Sequence, residues 1–123
     1  MSREQSGNNR QDKVRKALMR EVSDIIAHQI KDPVLTNQVI SVTDAEISPD
    51  MSMARIYVSI FGDDTVRQEI MAVLKAAEPK IRTLVGQRIR LRVTPKVEIR
   101  YDDSLERGSR ITQLLEQIAQ ENL

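Results

Sequence analysis

Residues 88–110 read RIRLRVTPKVEIRYDDSLERGSR, and this stretch decides how the chain is organised. Apolar residues alternate with polar ones on both sides of Pro95; the apolar set is Ile89, Leu91, Val93, Val97, Ile99 and Tyr101. The alternation predicts a strand over 88–101 with one buried face and one arginine-rich face. Pro95 cannot donate to a ladder, so it indicates a bulge or an edge position. A helix is then expected from Asp103 or Ser104, because Asp103 and Glu106 have the spacing of an N-cap and an N3 residue.

The composition limits the class of protein. A chain of 123 residues fits one domain. It contains no cysteine, which excludes disulfide scaffolds, thiol nucleophiles and Cys-ligated zinc. No apolar run approaches the roughly 18 residues that span a bilayer. The first residues, MSREQSGNNRQDK, lack the apolar core of a secretory signal, so a cytoplasmic protein without membrane contact is expected.

Periodicity predicts an alternation of helices and strands before and after this stretch. The predicted elements are a helix over about 10–30, strands over 38–47 and 52–61, a helix over about 63–77, a short helix over 79–86, the strand of 88–101 and a C-terminal helix. The two adjacent strands should form an antiparallel hairpin, and the third should return beside one of them. The fold class is therefore α+β, a three-stranded sheet covered by helices on one face.

Local signals set the predicted boundaries of these elements. Asp32-Pro33 should end the first helix, because the residue before proline avoids the helical region. Thr65 and Gln68 have the spacing of a capping box at the start of the second helix. Gly86 is a suitable C-terminal stop for the short helix. Residues 1–9 are polar and predict a disordered tail; residues 10–120 form the domain and 121–123 a second tail.

The charges are distributed unevenly although the net charge is only +1. Seven cations stand against Glu98 alone between residues 80 and 100, whereas residues 32–50 carry four acids and no base. On helical spacing, Lys13, Lys16 and Arg20 lie opposite the apolar stripe of the first helix. Arginine outnumbers lysine by thirteen to six, and guanidinium groups bind phosphate in a bidentate manner. A basic face for RNA and a solvated surface of mixed charge both fit this pattern.

The element order and the C-terminal motif together resemble a known family. The order α-β-β-α-α-β is similar to the type II KH topology. The run from Arg92 through Pro95 and Asp102-Asp103-Ser104 to Leu105, with Gly108 after it, resembles the signature of the ribosome-binding factor A family. Lys31-Asp32-Pro33 after a basic helix is also similar, and the likeness covers roughly residues 10–118.

The resemblance implies an assembly factor of bacteria or organelles. Such a protein binds the small (30S) ribosomal subunit and its 16S rRNA and assists late maturation, including processing of the 16S rRNA 5′ end. A role in growth at low temperature is implied as well, with no catalytic activity and no cofactor. The chain departs from the family at the kink between two helices. Ala77-Glu78-Pro79 stands where the family has Ala-x-Gly, so a phosphate contact is expected just beyond it, at Lys80 and Arg82.

The predicted RNA-binding residues are all basic, because phosphate neutralisation supplies most of the affinity of such surfaces. They are Lys13, Lys16, Arg20, Lys80, Arg82, Arg88, Arg90, Arg92, Arg100, Arg107 and Arg110. With one Phe, two Tyr and no Trp, base stacking is a poor candidate, and arginine planes or shape readout of folded rRNA is favoured. No catalytic and no metal site is expected: Asp102-Asp103 is interpreted as a helix cap, and His28 is the only histidine.

Two other functions remain open on the residues alone. A KH-like protein-interaction module would pair its apolar helix stripes with another chain and its arginines with an acidic partner. An enzyme is poorly supported, because nothing in the sequence supplies a nucleophile with a base. The assembly-factor hypothesis expects a free protein that is monomeric and binds no small-molecule substrate.

Overall fold

A computed structural model gives the fold, and it describes residues 2–104, with side chains described from residue 10 onward. The elements are α1 (Ser2–His28), a 3₁₀ helix (Pro33–Leu35), β1 (Ile40–Ile47), β2 (Met53–Ile60), α2 (Asp64–Ala76), α3 (Glu78–Arg88) and β3 (Lys96–Tyr101). This order matches the predicted α-β-β-α-α-β sequence of elements. The predicted C-terminal helix, including Gly108, Arg107 and Arg110, lies outside the described residues.

Helix α1 packs on the sheet through the stripe that its periodicity predicts. Leu18, Val22 and Ile25 are completely buried along it. The helix begins at Ser2 and so includes residues 2–9, for which the sequence predicts a disordered tail; no proline interrupts the helical ladder there. It ends at His28, two residues earlier than predicted. Asp32 therefore does not end α1 but caps the 3₁₀ helix, where its carboxylate accepts from the Val34 N–H at 2.9 Å.

The three strands form one sheet in the order β1-β2-β3. Strands β1 and β2 are an antiparallel hairpin with a bulge between Val42 and Asp44, and β2 and β3 are parallel. The parallel return is possible because α2 and α3 cross over the sheet between them. The predictions of a hairpin and of a third strand beside it are confirmed.

Among residues 2–104, helices cover one face of the sheet only, as the alternation in β2 predicts. Ala54, Ile56 and Val58 on that strand are completely buried beneath the helices. Its intervening residues are only half-buried and point to the open face. The core joins these residues to α1, to Ile70 and Leu74 of α2, and to α3.

Helices α2 and α3 meet at a junction close to the predicted one. The first ends at Ala76 and the second begins at Glu78, with Pro79 in its first turn, where the missing N–H costs nothing. The start of α2 differs from the prediction: Asp63, not Thr65, caps it, accepting from the Val66 N–H at 2.9 Å. The aspartate is one residue outside the helix, in the extended conformation that an N-cap requires.

The predicted strand over 88–101 is wrong in its first half. Helix α3 continues past Gly86 to Arg88, and residues 89–95 form a loop. The reason is the length of β2, whose first residue, Met53, pairs with Lys96. Earlier residues would have to pair with the hairpin turn, which offers no strand. Gly86 therefore does not stop the helix; a Cβ at this position would lie 2.8 Å from the Thr94 hydroxyl, so glycine lets the loop pack closely.

The second half of that strand agrees with the prediction. Val97 and Ile99 are buried and Tyr101 is half-buried, while Lys96 and Arg100 are exposed. Pro95 is buried just before β3 begins. Within residues 2–104, no helix is long and apolar enough to cross a membrane.

Candidate nucleic-acid interface

The basic residues of α1 lie exposed, as predicted, but part of their charge is neutralised. Lys13 is exposed, and no ion pair involves it among the described residues. The Lys16 ammonium lies 3.0 Å from the Asp12 carboxylate, and Arg20 lies 3.7 Å from Glu21. Asp12 also accepts from Arg15, and these hydrogen bonds hold the pKa of its carboxyl below the usual value. The outer face of α1 thus carries both positive and negative charges, and Lys13 is the unpaired one of its three predicted RNA-binding residues in the described structure.

The kink residues make contacts inside the protein. The Glu78 carboxylate accepts a hydrogen bond from the Ile99 N–H of β3 at 2.7 Å, and only 24% of its side chain is exposed. Lys75, one turn earlier, donates to the Ile99 carbonyl at 2.9 Å. Ala77 closes α2 by donating its N–H to carbonyls of that helix. The negative charge of Glu78 therefore faces the sheet edge, while Pro79 is exposed and has no N–H for a phosphate.

The two cations just beyond the kink are held by backbone carbonyls. Lys80 donates to the Gln29 carbonyl at the end of α1 at 3.0 Å, which satisfies one of the acceptors that a helix leaves unpaired there. Arg82 donates to the Thr94 carbonyl at 3.1 Å and so ties α3 to the loop of residues 89–95. Neither contact is to a carboxylate, so both side chains keep their net charge and stay exposed.

Arg88 does not lie on a cationic strand face, which corrects the prediction. It is in the last turn of α3, one quarter exposed, with its guanidinium 2.6 Å from Asp24 and 3.8 Å from Glu21 of α1. The hydrogen bond from Arg88 is the main cause that lowers the pKa of Asp24, and His28 adds to it. Arg88 thus connects two helices, and its positive charge is neutralised by carboxylates of α1.

The loop after α3 carries the least neutralised charge of the predicted set. Arg90 and Arg92 are exposed, and neither has a hydrogen-bond or ion-pair partner within residues 10–104. Lys96, at the start of β3, is also exposed and has no hydrogen-bond or ion-pair partner for its side chain in that range. Lys96 is not among the predicted RNA-binding residues. Its position within the basic run of residues 80–100 is the sequence feature that points to it. We call Arg82, Arg90, Arg92 and Lys96 the basic loop cluster.

The open face of the sheet is neutralised by its own charges. Glu46, Arg55 and Glu98 are neighbours across the three strands, so an arginine lies between two carboxylates. Arg100 hydrogen-bonds Glu98 at 2.5 Å, which lowers the pKa of that carboxyl. Tyr57 donates to Glu46 at 2.6 Å, and this bond raises the pKa of the phenol. Arg100 is therefore exposed but paired.

Asp102, the first residue after β3, makes structural contacts. It accepts from the Thr43 hydroxyl at 2.6 Å and from the Ser104 N–H at 2.9 Å. The predicted pairing of Asp103 with Glu106 at a helix start stays a prediction, because Glu106 lies outside the described residues. Within the part of the chain that the structure describes, no three acidic, histidine or cysteine side chains cluster as metal ligands would. A groove of about 810 Å³ lies between the end of α1 and the start of β1, and none of the predicted cations lines it.

Comparison with known proteins gives a consistent identification. The family model of ribosome-binding factor A matches residues 10–115. The ribosome-binding factor A of Halothermothrix orenii is 45% identical over 104 residues, which are 85% of this chain and 84% of that protein. The solution structure of a Thermotoga maritima protein described as a putative ribosome binding factor A has a TM-score of 0.64 at 25% identity, covering 72% of this chain and 83% of that one.

A second similar structure is a homology model of the Thermus thermophilus ribosome binding factor A. Its coordinates are described as fitted into the cryo-EM map of a 30S complex with that factor. Its TM-score is 0.59 at 24% identity, and the match covers 72% of this chain and 91% of that one. The family model spans the kink, the basic loop cluster and β3 alike. This chain therefore belongs to the ribosome-binding factor A family.

Proposed function

We propose that this protein is an assembly factor that binds the small (30S) ribosomal subunit and its 16S rRNA. It assists late maturation of the subunit, including processing of the 16S rRNA 5′ end, and supports growth at low temperature. Family membership and the Thermus relative fitted into a 30S complex support the ribosomal part. The observation that carries the RNA contact is the basic loop cluster, four exposed cations with no carboxylate partner in the described structure.

The unpaired charge matters because RNA binding is an exchange of ions. Each phosphate that a cation neutralises releases condensed counterions, and that release drives association. Arg90 and Arg92 can offer their full charge and planar donor pairs to phosphate. Arg88 and Arg100 are already engaged by Asp24 and Glu98, so RNA would have to displace a carboxylate first. Binding therefore depends on the loop more than on those two residues.

The rest of the predicted site is ordered by the same criterion. Lys13 and Lys80 keep their charge and add to the surface, whereas Lys16 and Arg20 contribute less because acids lie beside them. Arg107 and Arg110 remain proposed contacts. On this proposal the free protein is monomeric and cytoplasmic, uses no cofactor and catalyses no reaction; its domain spans residues 10–120.

Co-sedimentation with purified small subunits, their precursors and large subunits tests the proposal. We expect selective binding to small-subunit particles that weakens as salt rises. Arg90→Glu with Arg92→Glu should abolish it, whereas Arg100→Gln, at an exposed arginine that is paired with Glu98, should leave it nearly unchanged. Binding that survives the double reversal would move the site to α1 or the kink. Failure to bind any particle would refute the ribosomal function and favour an acidic or helical protein partner.

A further inference from the structure

Within residues 2–104, strand β3 forms one edge of the sheet, and its outward backbone groups at Ile99 are already occupied. The N–H groups of Lys96 and Asp102 donate to carbonyls on the β2 side, to Ser52 and Val58. In a parallel strand the N–H and C=O of one residue point the same way, and the direction alternates along the chain. Ile99 therefore presents both groups to the free edge.

The occupants come from the junction between α2 and α3. Glu78 accepts from the Ile99 N–H at 2.7 Å, and Lys75 donates to the Ile99 carbonyl at 2.9 Å. The two side chains lie 4.0 Å apart, so each holds the other in place. Both bonds involve a charged partner, which makes them stronger than bonds between neutral groups. We call Lys75, Glu78 and Ile99 the edge clamp.

The edge clamp determines which form of RNA can use the backbone of β3 at Ile99. An unstacked base is read through hydrogen bonds to its edge, and a strand backbone offers such a donor and acceptor. At Ile99 both are taken by side chains of the same protein. A single-stranded base would have to break two charge-assisted bonds to gain two neutral ones, which is unfavourable.

A stacking platform is also lacking along this surface. Residues 75–100, which include the kink, α3 and the loop, contain no aromatic residue. Tyr57 lies on the open face with its hydroxyl bonded to Glu46, and the Tyr101 ring is covered by the Arg67 guanidinium at 4.6 Å. Single-stranded binders rely on aromatic faces for much of their affinity. The surface offers cations instead, which suit the closely spaced phosphates of a helix.

We propose that the edge clamp closes the edge of β3 at Ile99 to single-stranded RNA, and that the basic loop cluster binds the phosphate backbone of base-paired RNA. This inference rests on the proposed RNA-binding function and specifies its ligand. The clamp has a positioning role: it holds the junction against β3, so that α3 presents Arg82 beside the loop. Recognition is then by the shape of an A-form helix rather than by base sequence.

Fluorescence anisotropy with two labelled probes tests the inference. The probes are an RNA duplex of about 16 base pairs and an oligouridine of the same length. We expect the wild-type protein to bind the duplex at least tenfold more tightly. Glu78→Ala should tighten oligouridine binding at least threefold and change duplex binding less than twofold. Glu78→Gln keeps an acceptor for the Ile99 N–H and should behave like the wild type, which separates the clamp from the loss of a negative charge.

Each other outcome has a distinct meaning. Equal or tighter binding of oligouridine by the wild-type protein would overturn the inference while leaving RNA binding intact. Equal gains in Glu78→Ala and Glu78→Gln would show that charge, not the clamp, excludes the single strand. Binding of neither probe would overturn the RNA-binding function itself. If Glu78→Ala does not fold by circular dichroism, Lys75→Ala, which frees the Ile99 carbonyl, takes its place: tighter oligouridine binding would support the edge clamp, and no gain would overturn its role.

Discussion

The salt dependence of RNA binding gives the sharpest prediction, because it depends on how many phosphates the protein neutralises. The perturbation is Arg90→Gln with Arg92→Gln. Both side chains are exposed and unpaired in the described structure, so their replacement breaks no hydrogen bond or ion pair there. We expect the fold to be unaffected and the contribution of the basic loop cluster to binding to be halved.

The magnitude follows from the four members of the basic loop cluster. If each contacts one phosphate of a duplex, the cluster contributes about −3.6 to the slope of log K against log salt, and removal of two members reduces that contribution to about −1.8. Between 50 and 200 mM salt, the contribution of the cluster should then lower wild-type affinity about 150-fold and that of the double variant about 12-fold. At 50 mM salt the wild-type protein should also bind the RNA more tightly than the double variant does.

Filter binding of a labelled 16S rRNA fragment over a salt series measures both slopes. The control is Arg100→Gln, since Arg100 is exposed but bonded to Glu98, and its slope should equal that of the wild type. Equal slopes for the double variant and the wild type would refute the assignment of phosphate contacts to the loop. A reduced slope in Arg100→Gln would refute the rule that carboxylate-paired arginines contribute little.

Three further predictions concern stability. Ile56→Ala, in the completely buried centre of β2, should lower the free energy of unfolding by about 2–5 kcal/mol in urea titrations, whereas exposed Val93→Ala should change it by less than about 0.5 kcal/mol; similar values would contradict the assigned core. Asp63→Ala should lower the free energy of unfolding by about 1 kcal/mol in the same assay, and Asp63→Ser should lower it much less. Equal effects of the two substitutions would contradict the assignment of Asp63 as the N-cap. Arg88 lowers the pKa of Asp24 in the folded state, so the ionised carboxylate stabilises the fold at pH values above the ordinary aspartate pKa of about 4. This contribution is lost as the pH falls through the lowered pKa. Asp24→Asn should therefore reduce the fall in the free energy of unfolding between neutral and acidic pH, and an unchanged fall would contradict the ion pair.

Much of the fold was readable from periodicity. Residues 52–61 alternate strictly, and Ala54, Ile56 and Val58 are buried as that alternation predicts. Pro79 placed the junction of α2 and α3 within one residue, because a proline is unfavourable in a helix interior and favourable in its first turn. These signals are local, since each depends on the covalent geometry of a few neighbouring residues.

The extent of β3 was not readable in the same way. Residues 88–94 have the alternation of a strand, yet a strand also needs a partner. Whether one exists depends on where β2 begins, and β2 begins opposite Lys96. Arg88 could therefore remain in α3 and reach Asp24, which is 64 positions away in the chain.

The candidate site divides along the same line. The sequence by itself determined which residues carry positive charge, which faces of α1 and β2 are apolar, and that a kink would interrupt the helices at Pro79. Only the tertiary structure decided which cations remain available: it paired Arg88 with Asp24, turned Glu78 toward Ile99, and left Arg90 and Arg92 exposed. The physical reason is that the direction in which a side chain points from its helix or strand is set by the local backbone. Its effective charge, in contrast, depends on carboxylates and carbonyls that only folding brings near.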